Sequence, residues 1–130
     1  MPAELFYDPT SEPCRAVHWF TLEAEIPVKL AYTWLTRDDH LKPALRAVNP
    51  RHQVPALRDG DFCLSEATAI MAYLAETAGQ HEIWFGANAR DRARVNLLLS
   101  WYHINPRQVL TDHYLPVLLL PAYVGDPLPS

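Results

Sequence analysis

The sequence predicts an α/β fold in two parts: a βαβ-α-ββα unit over residues 1–80, then the incomplete start of an all-α part over 81–130. Three observations predict it. Two β-rich runs, residues 4–8 and 28–35, flank a segment with helix-opening chemistry, which makes a βαβ unit with parallel strands. Residues 49–74 read strand, tight turn, strand and helix with almost no spacer. Beyond Asn88 the apolar spacing becomes purely helical.

The first run, Glu4-Leu5-Phe6-Tyr7-Asp8, is ended by Pro9. Thr10-Ser11-Glu12-Pro13 then opens a helix, with a hydroxyl residue suited to the N-cap and proline in the first turn. That helix runs to about Ala24, with Ala16, Val17, Phe20 and Leu22 as its buried side, and Ile26-Pro27 breaks it. Residues 28–35 form the second strand, and the polar run 36–40 is a loop. Residues 41–48 form a short, weak helix containing Pro43. Val54-Pro55-Ala56-Leu57 and Phe62-Cys63-Leu64 are strands joined by Asp59-Gly60-Asp61. Cys63, in an apolar run, is expected in the core. The following helix, residues 66–78, buries Ile70, Met71, Tyr73 and Leu74 and ends at Gly79. Residues 80–88 read as a linker, residues 89–101 as a helix with room to continue to Ile104 before Pro106 disturbs it, and 109–124 as an apolar, proline-interrupted segment before a terminal loop. A hairpin feeding straight into a helix start sets free N–H groups beside a sheet edge, a place for an anionic small molecule.

Composition removes several function classes. Lys plus Arg number 11 against 15 Asp plus Glu, so the basic face that nucleic acid needs is not expected. Cys14 and Cys63 are too few for a disulfide scaffold and match no zinc spacing. The most apolar run holds Pro116 and Pro121 and is too short to span a bilayer, and the start lacks a secretory pattern. The expectation is a cytosolic protein with no metal, no membrane and no nucleic-acid partner.

Val54-Pro55-Ala56-Leu57, Asp59-Gly60, Leu64-Ser65-Glu66 and Ala69-Ile70-x-x-Tyr73-Leu74 resemble the glutathione-binding half of a cytosolic glutathione S-transferase. Leu5-Phe6-Tyr7-Asp8 followed by Ser11-x-Pro13-x-Arg15-Ala16-Val17 is similar to the theta class, as are the placements of His40, Asn49-Pro50 and Arg92-Ala93-Arg94-Val95. The resemblance covers nearly the whole chain. It implies a thioredoxin-like domain, then a helical domain that is C-terminally truncated here.

The resemblance also assigns roles. Ser11, at a helix start, would donate to the glutathione sulfur, and the helix dipole would favour the thiolate; from position alone the better reading of Ser11 is a helix cap, and the resemblance reverses that. Tyr7 competes with it, but the serine spacing fits better and Tyr7 reads as packing. Pro55 fits a cis-proline, so that the Val54 backbone would pair with the cysteinyl part of glutathione like an added strand; without the resemblance it is an edge-strand proline. Glu66 would face the γ-glutamyl ammonium while the N–H groups at Ala67 take its carboxylate; alone, Glu66 is an ordinary acidic first-turn residue. His40, with Leu41 beside it, would reach the glycyl carboxylate; a lone loop histidine is otherwise simply solvated. Arg107 would lie over the sulfur, or else is an exposed arginine after Pro106. Two positions depart from the family. Ala67 stands where Ser or Thr is usual, and Gln53 where the theta pattern often has Lys. Both thin the contacts, so weaker glutathione binding is expected.

The function implied is a theta-like transferase that joins the glutathione thiolate to small electrophiles, alkyl halides or activated sulfates; the family works as dimers, and this chain keeps one dimer surface and part of the other, which leaves a homodimer open. The alternative is a non-catalytic glutathione- or partner-binding fragment. A third reading is thiol–disulfide exchange at Cys14, in Ser11-Glu12-Pro13-Cys14; it is weakened because Ser replaces the attacking cysteine of a Cys-x-x-Cys motif.

Overall fold

A computed structural model describes residues 1–119 of the chain. The chain divides into two compact units, Met1–Trp84 and a second beginning at Phe85. The expected terminal loop, residues 125–130, and the end of the apolar segment 109–124 lie outside the described residues.

The first unit holds strands β1 (Ala3–Tyr7), β2 (Val28–Tyr32), β3 (Ala56–Asp59) and β4 (Phe62–Ser65) in the spatial order β2-β1-β3-β4. β1 and β2 run parallel with Leu5 opposite Leu30, as a crossover through helix α1 (Glu12–Glu23) requires. β3 is antiparallel to β1, with Leu57 opposite Leu5 and Ala56 opposite Phe6. β4 returns through a hairpin in which Asp59 faces Phe62. The turn needs a left-handed residue, and Gly60 sits at φ 61°. Side chains alternate across the sheet. Leu5, Tyr7 and Leu57 turn toward α1 and helix α3 (Ala67–Thr77), which pack on each other. Phe6 and Ala56 turn the other way, into a cluster with Leu45 and Val48 from and after the short helix α2 (Pro43–Arg46).

Several expectations are corrected. On α1 the buried residues are Cys14, Val17, Phe20 and Thr21, whereas Leu22 is 64% exposed. At about 100° per residue, Leu22 points roughly 140° from the middle of that stripe. α1 does end at Ala24 as expected, closed by Glu25, left-handed at φ 53°, and by the Ile26 N–H on the Thr21 carbonyl, a Schellman closure. β2 stops at Tyr32; Thr33 still donates to the Tyr7 carbonyl, but the N–H of Leu35 is taken by the Asp8 carboxylate, and the chain coils into tight turns. Cys63 is exposed, because it lies opposite the exposed Arg58 on an edge strand, beyond the cover of α2. On α3, Ile70 and Leu74 are buried, but Met71 and Tyr73 only half so.

α3 closes as expected on Gly79, at φ 68°, with the Gln80 N–H on the Ala75 carbonyl. Gln80 also donates through Nε2 to the Ala24 carbonyl at 2.9 Å, joining the ends of α3 and α1. The segment read as a linker contains a helix, α4 (His81–Phe85), and Trp84 packs edge-on against Phe20 with centroids 5.1 Å apart. In the second unit α5 (Ala89–Ile104) is capped by Asn88, whose side chain accepts from the N–H groups of Arg90 and Asp91. Pro106 starts α6 (Pro106–Val109), followed by a wider helical stretch, Leu110–Leu119, around Pro116.

Candidate functional site

The pairing registers decide where the candidate residues meet. Tyr7 is opposite Tyr32, Phe6 is opposite Ala56, and Ala56 is opposite Ser65. The last residues of β1, β2 and β4 and the first of β3 therefore share one end of the sheet. From that end leave the loop to Ser11, the turns to His40 and Leu41, the approach through Gln53, Val54 and Pro55, and the chain to Glu66 and Ala67.

Ser11 occupies the N-cap position of α1, with φ −75° and ψ 120°, yet its side chain makes no capping bond. Its N–H donates to the Asp8 carbonyl and its carbonyl accepts from Arg15. The hydroxyl caps no N–H of the helix and instead contacts the Cys14 thiol. Burial pushes the Cys14 thiol up from its ordinary range; contacts from the Asp8 backbone and the Ser11 side chain offset this only in part. Cys14 is fully buried and stays a neutral thiol, a poor nucleophile for exchange. Tyr7 is 7% exposed and wedged edge-on between His18 and Tyr32. Burial, with the nearby Cys14 and Tyr32, raises its phenol pKa.

The Val54–Pro55 bond is cis. Because β3 begins only at Ala56, the Val54 backbone has no hydrogen-bond partner among the described residues. The approach is fixed by Asn49, 4% exposed, whose Nδ2 donates to the Gln53 carbonyl at 2.9 Å and whose Oδ1 accepts the Arg51 N–H. The Gln53 residue itself is exposed.

Glu66 is the N-cap of α3 at φ 76°, a left-handed conformation that a residue with a Cβ adopts at a cost of order 1 kcal/mol or more. Such strain marks functional positions. Its carboxylate is exposed and lies 3.7 Å from Arg51. The first N–H groups of α3, from Ala67 onward, have no partner within the helix, and Ala67 itself is buried.

His40 sits in a tight turn, Asp39–Leu41, where its Nδ1 is buried without a partner and its carbonyl meets Nδ1 of His52 at 3.1 Å. Leu41 is 57% exposed. The turn is held by Asp39, which accepts from the Trp34 N–H and from Lys42; the Lys42 contact first, then Trp34, lowers its pKa.

Arg107 belongs to the second unit, half-buried in α6, with its carbonyl accepting from Thr111. Among the described residues no group of three His, Cys, Asp or Glu side chains could hold a metal ion, and no helix is long and apolar enough to cross a membrane.

Asp8, which closes the first β-rich run in the sequence, has a role that only the structure shows. Its side chain is fully buried and accepts from the Thr10 N–H at 2.7 Å, the Thr10 hydroxyl at 2.6 Å and the Leu35 N–H at 2.7 Å. Asp8-Pro9-Thr10 was a signal for half of this, an Asx turn in which the carboxylate bonds two residues on. Nothing in the sequence pointed to Leu35.

Residues 5–82 match the family model described as glutathione S-transferase, N-terminal domain. The chain is 37% identical over 128 residues to human glutathione S-transferase theta-1, which covers 98% of this chain and 53% of that protein. It is 38% identical over 97 residues to the dichloromethane dehalogenase of Methylophilus leisingeri, covering 74% of this chain and 36% of that one. The structure of a human theta-class glutathione transferase, in complex with the glutathione conjugate of 1-menaphthyl sulfate, superposes with a TM-score of 0.88 at 32% identity, covering 99% of this chain and 52% of that one. The chain thus spans about half the length of the human theta-class relatives it matches. With the thioredoxin-like sheet, the cis-proline approach and this similarity together, the chain belongs to the glutathione S-transferase family, with relatives of the theta class among those it matches.

Proposed function

We propose that this chain carries the glutathione site of a theta-like glutathione transferase. The observation that carries the reading is the convergence, at one sheet end, of a Ser11 hydroxyl that makes no capping bond with the unpaired Val54 backbone and the open N-terminus of α3. Glutathione lies along Val54 in the manner of an added strand, with Gln53 alongside. Its γ-glutamyl carboxylate takes the N–H groups at Ala67 and its ammonium takes Glu66. His40, beside Leu41, takes the glycyl carboxylate. Ser11 donates to the sulfur at the start of α1, lowering the thiol pKa.

In the reaction the thiol proton leaves to solvent and the thiolate attacks an electrophilic carbon. A carbon–sulfur bond forms, and the carbon–halogen or carbon–oxygen bond breaks, with halide or sulfate leaving with the electron pair. Alkyl halides and activated sulfates are the substrate classes proposed; the dehalogenase relative and the menaphthyl sulfate conjugate in the human structure support them. Arg107 is proposed to stabilise the departing anion. Residues 1–80 form the glutathione domain and 81–130 the start of the helical one. Homodimer formation between these two surfaces is supported by the exposed Phe62, Leu97, Leu98 and Trp101. A reducing, cytosolic setting is supported by two free cysteines.

The test is a glutathione titration and a conjugation assay on the chain and on Ser11→Ala. The variant should keep glutathione binding and lose conjugation by about a hundredfold. Equal turnover in the variant would overturn Ser11 as the activating group. Loss of binding as well would make it a binding residue only.

A further inference from the structure

We propose that Asp8 is a positioning residue for the glutathione thiol: one buried carboxylate fastens the Ser11 loop to the segment that leads to His40. This rests on the reading of Ser11 given above. The carboxylate is fully buried, and every hydrogen bond it accepts comes from one of those two segments. Oδ1 takes the Thr10 N–H and hydroxyl, the residue before Ser11. Oδ2 takes the Leu35 N–H, 27 positions away. The Asp8 carbonyl also holds the Ser11 N–H at 3.1 Å.

From Leu35 the tie continues to His40. The Trp34 N–H bonds Asp39 Oδ2 at 3.0 Å, and the Asp39 N–H bonds the Trp34 carbonyl at 3.1 Å. Arg15 steadies the near side by donating to the carbonyls of Pro9 and Thr10. Ser11, at the sulfur end, and His40, at the glycyl end, are therefore referred to one side chain. Only a carboxylate serves all three donors, since it is acceptor on both oxygens. Asparagine would set an NH2 against either the Leu35 N–H or the Thr10 groups and release one of the two segments.

A residue that acts through geometry should move the thiol pKa, which bare loss of stability would not. The experiment compares the wild-type chain with Asp8→Asn, Thr10→Val and Ser11→Ala. It measures glutathione affinity by calorimetry, the pKa of the bound thiol by thiolate absorbance against pH, and the unfolding temperature. Asp8→Asn should weaken glutathione binding on the order of tenfold and raise the bound thiol pKa toward that of free glutathione. Thr10→Val removes one bond at an exposed residue, so it should shift the thiol pKa the same way, by less, with an unchanged unfolding temperature. If both variants keep the wild-type thiol pKa and affinity while only Asp8→Asn unfolds earlier, Asp8 is structural and the proposal is overturned. Should Asp8→Asn not fold, Thr10→Val decides by the same criterion. If Ser11→Ala leaves the thiol pKa unmoved, or the wild-type chain binds no glutathione, the Ser11 reading has failed and this proposal falls with it.

Discussion

The phenol of Tyr73 donates to Asp59 Oδ2 at 2.8 Å, tying α3 to the β3–β4 turn 14 residues earlier. The Phe62 ring lies against the same tyrosine, with centroids 4.9 Å apart. The bond to Asp59, then burial, raises the phenol pKa. The contribution is thus fully present below the unfolded value of about 10 and is lost as pH rises through the higher folded value. Tyr73→Phe should cost about 1 kcal/mol in urea unfolding at neutral pH, with an unchanged slope, and the gap to wild type should close at strongly alkaline pH.

Ser11 stands where a capping serine would, but caps nothing with its side chain. Replacing a true N-cap by alanine costs about 1 kcal/mol. Ser11→Ala should therefore fall well short of that in thermal unfolding, whatever it does to chemistry. A full capping loss would show that the hydroxyl serves the helix after all.

The two cysteines should separate cleanly. Cys63 is exposed, and Cys14 is fully buried with its thiol pushed up by that burial. A chromogenic disulfide reagent should titrate one thiol quickly in the native chain and the second only on unfolding. Cys63→Ser should abolish the fast phase. Because the Cys14 pKa is raised above 9.0, its share of stability is complete below that pH and is lost as pH rises through the folded value. Cys14→Ala should flatten stability across the alkaline range.

The buried stripe of α1 predicts a contrast between two apolar residues five positions apart. Val17 is 0% exposed and Leu22 is 64% exposed. Val17→Ala should cost about 2 kcal/mol, from lost burial and a cavity. Leu22→Ala should stay within about 0.5 kcal/mol. Comparable losses at the two sites in urea unfolding would mean that the helix is rotated.

Element order was legible because turn chemistry punctuates the chain: Pro9, Pro27, Asp59-Gly60 and Gly79 each end or reverse an element where the structure does. The contacts that were not legible are those made across the sequence. Leu35 reads as one more apolar residue of a strand until the Asp8 carboxylate claims its N–H. Leu22 and Cys63 read as core because they are apolar, and only helix phase and strand position reveal that they face out. His81–Phe85 lacks the length for a periodic signal, and its helix is anchored by Trp84 against Phe20. At the candidate site, Ser11, Val54, Glu66 and His40 are named through the family resemblance of their motifs, whereas the side chains that fasten their segments, Asp8 and Asn49, act through bonds that local pattern does not encode.

That every candidate segment leaves one end of the sheet gives the first unit a working pole and a silent pole. The silent pole is the hairpin at Gly60 and Asp61 with the starts of β1 and β2; at Gly60 the space where a Cβ would go is open. Reporter groups, tethers or new chain ends belong there, where they can read the molecule without touching what it holds. Change at the working pole, by contrast, is shared by several loops at once, so altered ligand choice is expected to arrive through paired substitutions in different segments.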